Sequence, residues 1–338
     1  DHLLLVHGDA QSAIVNSALA VPPIVQVVDR YENSVPAVSV TFTIGSGAGS
    51  VSLATVASGA DGKASTTYTL GTVVGANTLV VARETTALPD LALSGKASIT
   101  IVATGIPDAP DHLNITTGSG QNATVATAVA TVPTVQLVDR YSNNITSGVA
   151  LTFTIGSGGG TAGLPVATTN GSGNASSPFT LGTAIGANTM VVGRQSSVLP
   201  DLAATGRATV TFSETAVPGV AVSGNSTLST TGPEIADGSY TATVTVTLQD
   251  TYSNKITGVT PTVAASGSNN TINACSATDS NGVSTCTVTS TTAQSKTMTI
   301  TSPTGLNALS AKSLFMPSSG MVSAGSNLAM WVKADLGV

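Results

Sequence analysis

The sequence predicts an all-β chain of tandem sandwich domains, and three observations carry that prediction. First, only 8% of its 338 residues are charged and 3% aromatic, against 41% hydrophobic and 35 glycines. Charged residues ordinarily make up about a quarter of a globular protein. Here Ser, Thr and Asn take their place, and Val, Ala, Ile and Leu supply the apolar share. That is a poor set for helices and a good one for pleated strands and tight turns. Second, short runs alternate between polar and apolar residues, and Gly-rich turn chemistry punctuates them. Third, whole blocks of sequence return at domain-length spacing. A formal net charge of −6 with this apolar share argues against disorder.

The repeated blocks fix the organisation. Asp29-Arg30-Tyr31 returns as Asp139-Arg140-Tyr141, and Thr41-Phe42-Thr43-Ile44-Gly45-Ser46-Gly47 as Thr152-Phe153-Thr154-Ile155-Gly156-Ser157-Gly158, with one residue inserted between the blocks. Gly75-Ala76-Asn77-Thr78 matches Gly186-Ala187-Asn188-Thr189, and Leu88-Pro89-Asp90-Leu91-Ala92 matches Leu199-Pro200-Asp201-Leu202-Ala203. A third, diverged copy shows Asp250-Thr251-Tyr252-Ser253-Asn254. Duplicated domains near 1–106, 107–216 and 217–315 follow, with a tail at 316–338.

Within each repeat the strands can be read in order. Ile24–Asp29 and Val135–Asp139 form apolar runs suited to central strands, and Val38–Ile44 alternates at period two. Tyr240–Leu248 alternates Thr with Ala, Val and Leu, which predicts one buried and one wet face. Turns are expected at Gly45–Gly49, Asp61-Gly62, Asn170-Gly171 and Asn281-Gly282. About seven short strands in roughly 100 residues is the pattern of an immunoglobulin-like (Ig-like) sandwich. Prolines at the joints, in Gly105–Pro110 and Ala216–Gly219, predict short, stiff links and an elongated rod.

These motifs resemble the bacterial immunoglobulin-like domains of group 1, the invasin and intimin type. The resemblance lies in Val25–Asn33, Val40–Gly47, Asp61-Gly62-Lys63-Ala64, Tyr68-Thr69-Leu70-Gly71 and Gly75–Thr78. It covers the first two repeats well and the third loosely, where the Phe and the Gly-Ala-Asn-Thr block are missing. It implies repeated extracellular modules that serve as stalks or presenting arms on microbial surfaces, with no catalytic residue.

The candidate sites are few. Cys275 and Cys286, the only cysteines, flank Asp279–Gly282 symmetrically, so a cross-strand disulfide fits; two free buried thiols are the alternative. His2 and His112 open repeats one and two, and equivalent residues a domain apart in a rod cannot converge on one ligand; His7 stands alone. Gly158–Gly163 matches a dinucleotide-binding glycine pattern but precedes Leu164-Pro165 rather than a helix, so it reads as a turn. Asp29, Asp139 and Asp250 occupy equivalent strand ends, with Asp108 and Asp111 near a joint. They are candidates for calcium, or for satisfying turn amides two residues on. Tyr31, Tyr141 and Tyr252 recur at one turn, as a structural corner or as part of a binding surface. Asn114, Asn122, Asn144, Asn170, Asn174, Asn225 and Asn269 head Asn-x-Ser/Thr sequences, which are glycan acceptors only where the source glycosylates.

The tail holds the only tryptophan, in Asn327–Val338, and is similar to the opening strand of laminin-G-like, concanavalin-type domains. It is expected to be the start of a truncated next domain, or a donated strand with Trp331 as an assembly contact. Asp1–Val6 lacks the basic region of a secretion signal, so a removed signal or a longer parent chain is expected. Scattered Lys and Arg exclude a nucleic-acid footprint, and no apolar run is long enough for a membrane span. The sequence thus predicts a non-catalytic, cofactor-free extracellular or cell-surface stalk that presents a distal module. A self-assembling fibre or sheath subunit and a direct adhesin for host protein or glycan are the alternatives. Its partners would be neighbouring domains, copies of itself, or host surface molecules.

Overall fold

The structure, a computed structural model, describes residues 2–83, 96–146, 148–200 and 207–317. Every regular element among them is a strand. The sheets fall into three sets, each enclosing its own core, so the chain is a tandem of Ig-like β-sandwiches.

In repeat one the first edge strand is split between the two sheets. His2–His7 pairs antiparallel with Ile24–Val28, while Gln11–Ile14 crosses over to pair parallel with Ser98–Ile106. Gly8 makes the corner at φ +100°, and a Cβ there would sit 2.5 Å from Pro23 Cα. Gly118 repeats this corner against Pro133. Glycine is required at both, because the conformation and the close approach each exclude a side chain.

The smaller sheet runs His2–His7, Ile24–Val28, Lys63–Ser65. The larger runs Gln11–Ile14, Ser98–Ile106, Gly75–Arg83, Ser39–Ser46, Thr55–Ala57. Repeat two copies this order. Repeat three regroups into two four-stranded sheets, Thr227–Thr230, Ala242–Thr247, Val283–Ser290, Asn270–Ile272 and Glu234–Ile235, Ser310–Met316, Gln294–Ser302, Thr262–Ala265.

Alternation builds the cores. Val40, Phe42, Tyr68, Leu79, Val81 and Ile101 fill repeat one; Leu151, Phe153, Phe179, Met190, Val192 and Phe212 take their place in repeat two. In repeat three Val244, Val246, Met298, Ile300 and Phe315 pack beside Cys275 and Cys286. Each fully buried large side chain contributes on the order of 1.5–3 kcal/mol of transfer free energy. Cys275 and Cys286 are disulfide-bonded across the hairpin that turns at Asp279–Gly282, where Ser276 N–H donates to Thr285 O and Gly282 N–H to Asp279 O.

Gly158 and Gly159 form a left-handed turn leading into the short strand Thr161–Ala162, with no helix behind it. Trp331, the rest of 318–338, and the Leu88–Ala92 and Asp201–Ala203 blocks lie outside the described residues. No helix among the described residues is long and apolar enough to cross a membrane.

Candidate functional site at the joints between repeats

The strand Thr134–Val138 ends in Asp139, whose carboxylate closes the following turn. Asp139 Oδ1 accepts the Tyr141 and Asn143 amides at 2.8 and 2.9 Å, and Ser142 takes a left-handed φ of 67° to permit it. The turn is an Asp-x-Tyr-x-Asn unit, and it does more than reverse the chain. Asp139 Oδ2 accepts the linker amide of Asp108 at 3.0 Å, and Asn143 Nδ2 donates to it at 2.9 Å.

Asn143 then reaches into repeat one. Its Nδ2 donates to Thr72 O at 2.8 Å, and its Oδ1 accepts Val74 N–H at 3.0 Å. Tyr141 stands alongside, its hydroxyl accepting from Asn16 Nδ2 at 2.8 Å. Arg140 stacks over the Tyr141 ring, 4.9 Å from its centroid, and its Nε lies 3.1 Å from Asp108 Oδ2. Asp139 and Asn143 are buried at this junction.

The loop so gripped, Thr72–Gly75, is braced from its own side. Asn77 is fully buried; its Oδ1 accepts Gly71 N–H at 3.1 Å and its Nδ2 donates to Gly75 O at 3.2 Å. Gly71 must be glycine, since a Cβ would fall 1.7 Å from Gly47 O. The repeated Gly-Ala-Asn-Thr block therefore shapes a plug, and the Asp-x-Tyr-x-Asn turn is the socket that receives it.

The next joint repeats the arrangement. Asp250 Oδ1 accepts the Tyr252 and Asn254 amides, each at 2.9 Å, and its Oδ2 accepts the linker amide of Gly219 at 2.9 Å. Asn254 Nδ2 donates to Thr183 O at 2.8 Å and to Asp250 Oδ2 at 2.9 Å, and Ile185 N–H reaches Asn254 Oδ1 at 3.3 Å. Burial pushes the Asp250 carboxyl up, but the Asn254 side chain and the Gly219, Asn254 and Tyr252 amides together outweigh it and leave it below the ordinary value.

Repeat one carries a socket of the same form. Asp29 Oδ1 accepts the Tyr31 and Asn33 amides at 2.8 and 2.9 Å, and Asn33 Nδ2 lies 3.0 Å from Asp29 Oδ2. The Asn33 side chain first, then its amide, hold the Asp29 carboxyl below the ordinary range. Tyr31 is 70% exposed, with Arg30 stacked over it at 4.7 Å. Repeat three, by contrast, carries Lys296 at the third position of Gln294–Ser302, where Asn77 and Asn188 stand in their strands. Lys296 is buried and donates to Ser268 O at 2.8 Å, so the plug's brace is absent there.

The other candidates fall into place around these joints. The acidic set read as possible calcium ligands is distributed: Asp29, Asp139 and Asp250 satisfy turn amides, Asp108 pairs with Arg140, and Asp111 Oδ2 lies 2.9 Å from His112 Nδ1. Among the described residues no group of three or more His, Cys, Asp and Glu could hold a metal. His2 and His112 are fully buried at the starts of their own repeats, opposite Val28 and Val138, and His7 is exposed. Tyr141 is more than a corner, because it bonds across the joint. Of the asparagines that head Asn-x-Ser/Thr sequences, Asn122, Asn170 and Asn269 are exposed, while Asn114, Asn144, Asn174 and Asn225 are half-buried. Asn225 Nδ2 already donates to Asp250 O at 2.7 Å, so a glycan there would leave a single N–H to hold that bond. The joint partners Asn16, Thr72, Val74, Asn143, Thr183 and Asn254 were not evident as a site from sequence. The joint return of the Asp-x-Tyr-x-Asn and Gly-Ala-Asn-Thr blocks was the available signal.

No curated protein sequence matches the chain. Its fold is similar to that of FdeC, described as an Escherichia coli adhesin, at 19% identity over 94% of this chain and 96% of that one, with a TM-score of 0.58. Invasin, described as a bacterial integrin-binding protein, is similar at 19% identity over 93% of this chain, with a TM-score of 0.51; the chain spans 60% of invasin's length. At these identities the likeness is one of fold. Ig-like repeats of this kind are structural or binding modules rather than enzymes. The sequence resemblance was clearest in repeats one and two, yet it is the third repeat, residues 225–315, that matches the family Bacterial Ig-like domain (group 1).

Proposed function

We propose that the chain is a non-catalytic stalk of a microbial cell-surface or secreted protein, in which Ig-like repeats are locked end to end to hold a binding module away from its anchorage. The observation that carries this reading is the duplicated joint. At both junctions the same Asp-x-Tyr-x-Asn turn grips the carbonyl and amide of the same loop in the preceding repeat. Domains joined by a linker alone move relative to one another by default. A side chain that bonds both neighbours at once, buried at the first joint (Asn143) and half-buried at the second (Asn254), limits that motion and favours one angle.

Direct adhesion to a host protein or glycan is the second reading, favoured by the fold likeness to an adhesin and an integrin-binding protein. The test of the stalk is electron microscopy with small-angle scattering across a concentration series. Single three-lobed rods with a narrow spread of inter-lobe angles support it, and that spread widens when Asn143 and Asn254 are both replaced by Ala. Freely bent chains from the unmodified protein, or filaments that lengthen with concentration, would overturn it. The adhesin reading is tested by binding of this chain to immobilised host matrix proteins and glycans.

A further inference from the structure

We propose that the Asp29–Asn33 turn of repeat one is a docking socket for the plug loop of a further Ig-like repeat joined ahead of residue 1. The equivalent turns at Asp139–Asn143 and Asp250–Asn254 each hold such a loop, through the same atoms. In repeat one the same hydrogen bonds preform the turn, and Glu32 takes the left-handed φ of 66° that Ser142 and Ser253 take at 67° and 65°. What differs is cover. Asp139 and Asn143 are buried at their joint, whereas Asp29 is half-buried and Asn33 exposed.

The occupant's chemistry follows from the filled sockets. It presents a backbone carbonyl to accept from Asn33 Nδ2 and an N–H two residues on to donate to Asn33 Oδ1. A linker amide serves Asp29 Oδ2, and, as at the first joint, a side-chain amide can donate to the Tyr31 hydroxyl beside Arg30 Nη2, which already donates to it at 2.6 Å. A second copy of this chain is a poor source, because its own Thr72–Gly75 and Thr183–Gly186 loops are engaged within it. Repeat three has Lys296 in place of the bracing Asn, and its loop closes in a tight Ser290–Ala293 turn, with Thr292 N–H on Ser290 Oγ at 3.1 Å. The socket is therefore addressed to a repeat of the kind found in positions one and two.

The inference is tested by fusing a second copy of residues 1–110 directly ahead of the full chain, which reproduces the native linker. Only the added repeat is isotopically labelled, so that its own Val74 amide is read by hydrogen exchange. We expect that amide to exchange about tenfold more slowly than in the same fusion carrying Asn33→Ala in the original repeat one, as loss of one buried hydrogen bond implies. Protection of the added repeat's core strands reports that it has folded. Equal Val74 exchange in the two fusions would overturn the inference, as would an added repeat that stays unfolded despite sharing its sequence with a folded one. Neither result touches the stalk reading, which is tested on the three-repeat chain itself.

Discussion

Asn143 of repeat two lies 2.8 Å from the Thr72 carbonyl oxygen of repeat one, and the same side-chain nitrogen lies 2.9 Å from Asp139 Oδ2 within its own repeat. Both of its N–H groups are thus spent, one across the joint and one on the carboxylate that shapes the turn. The side-chain oxygen is spent as well, on Val74 N–H. The turn could form without the neighbour, as repeat one shows, but with the neighbour it becomes a clamp.

Replacing Asn143 with Ala is expected to destabilise the pair formed by repeats one and two by about 1–3 kcal/mol, because it strips a buried carboxylate of a donor and orphans a loop carbonyl and amide. Asn33→Ala, which loses only the contact to Asp29, should cost under about 1 kcal/mol in the chain as it stands. Calorimetry of the two variants against the unmodified protein checks the order. Equal losses would mean that the cross-joint bonds contribute nothing.

The Asp250 carboxyl titrates below its ordinary value of 3.8 in the folded protein, because four donors outweigh its burial. A folded-state value below the unfolded one means that the unfolded chain binds the proton more readily. The joint's stabilisation is therefore fully present above the unfolded value and is lost as pH falls through the folded one. Acid should open the joint between repeats two and three, seen as loss of exchange protection at Gly219 and Ile185 as pH falls below about 4. In Asp250→Asn that loss should no longer depend on pH.

Much of the fold could be read from sequence, and the joint could not, for a physical reason. Alternation in Val40–Ile44 or Ala242–Thr247 reflects a period-two burial that a single strand already displays. The Cys275–Cys286 pairing was legible because the turn between them is local. The clamp, however, joins a side chain to backbone atoms 71 positions away, and backbone carbonyls leave no mark on a sequence. Loss of the Gly-Ala-Asn-Thr block from repeat three read as simple divergence. In the fold, that repeat keeps the socket its predecessor needs and replaces the plug's bracing Asn with Lys296.

The disulfide closes a loop of sequence separation 11 and should stabilise repeat three by about 2–3 kcal/mol. Replacing both Cys275 and Cys286 with Ser, or reducing the bond, is expected to lower the unfolding temperature of that repeat most. Repeats one and two hold no cysteine; repeat two, whose Thr183 and Ile185 bond to Asn254, should shift only by the loss of that joint, and repeat one should melt unchanged. Calorimetry with and without reductant checks this, and the mass of alkylated protein confirms the redox state. A reductant-sensitive transition in repeat one, which among the described residues has no contact with repeat three's clamp, would contradict the separateness of its core.

Tyr68 is fully buried in the core of repeat one, and its hydroxyl has no hydrogen-bond partner among the described residues. Burial pushes the phenol's pKa up, as expected where the charged form finds no solvation. Phe179 opens the equivalent strand of repeat two and is equally buried, with no polar atom to satisfy. Desolvating a hydroxyl without a partner costs on the order of 1–3 kcal/mol. Tyr68→Phe should therefore stabilise repeat one by about 1 kcal/mol, which for a domain of this size raises the melting temperature by roughly 4–8 °C. Phe179→Tyr should cost repeat two at least as much, since the added oxygen must also find room in a packed core. Calorimetry on both variants decides the matter. A lower melting temperature in Tyr68→Phe would mean that the hydroxyl is hydrogen-bonded in solution and that the two cores are less alike than their shared strand suggests.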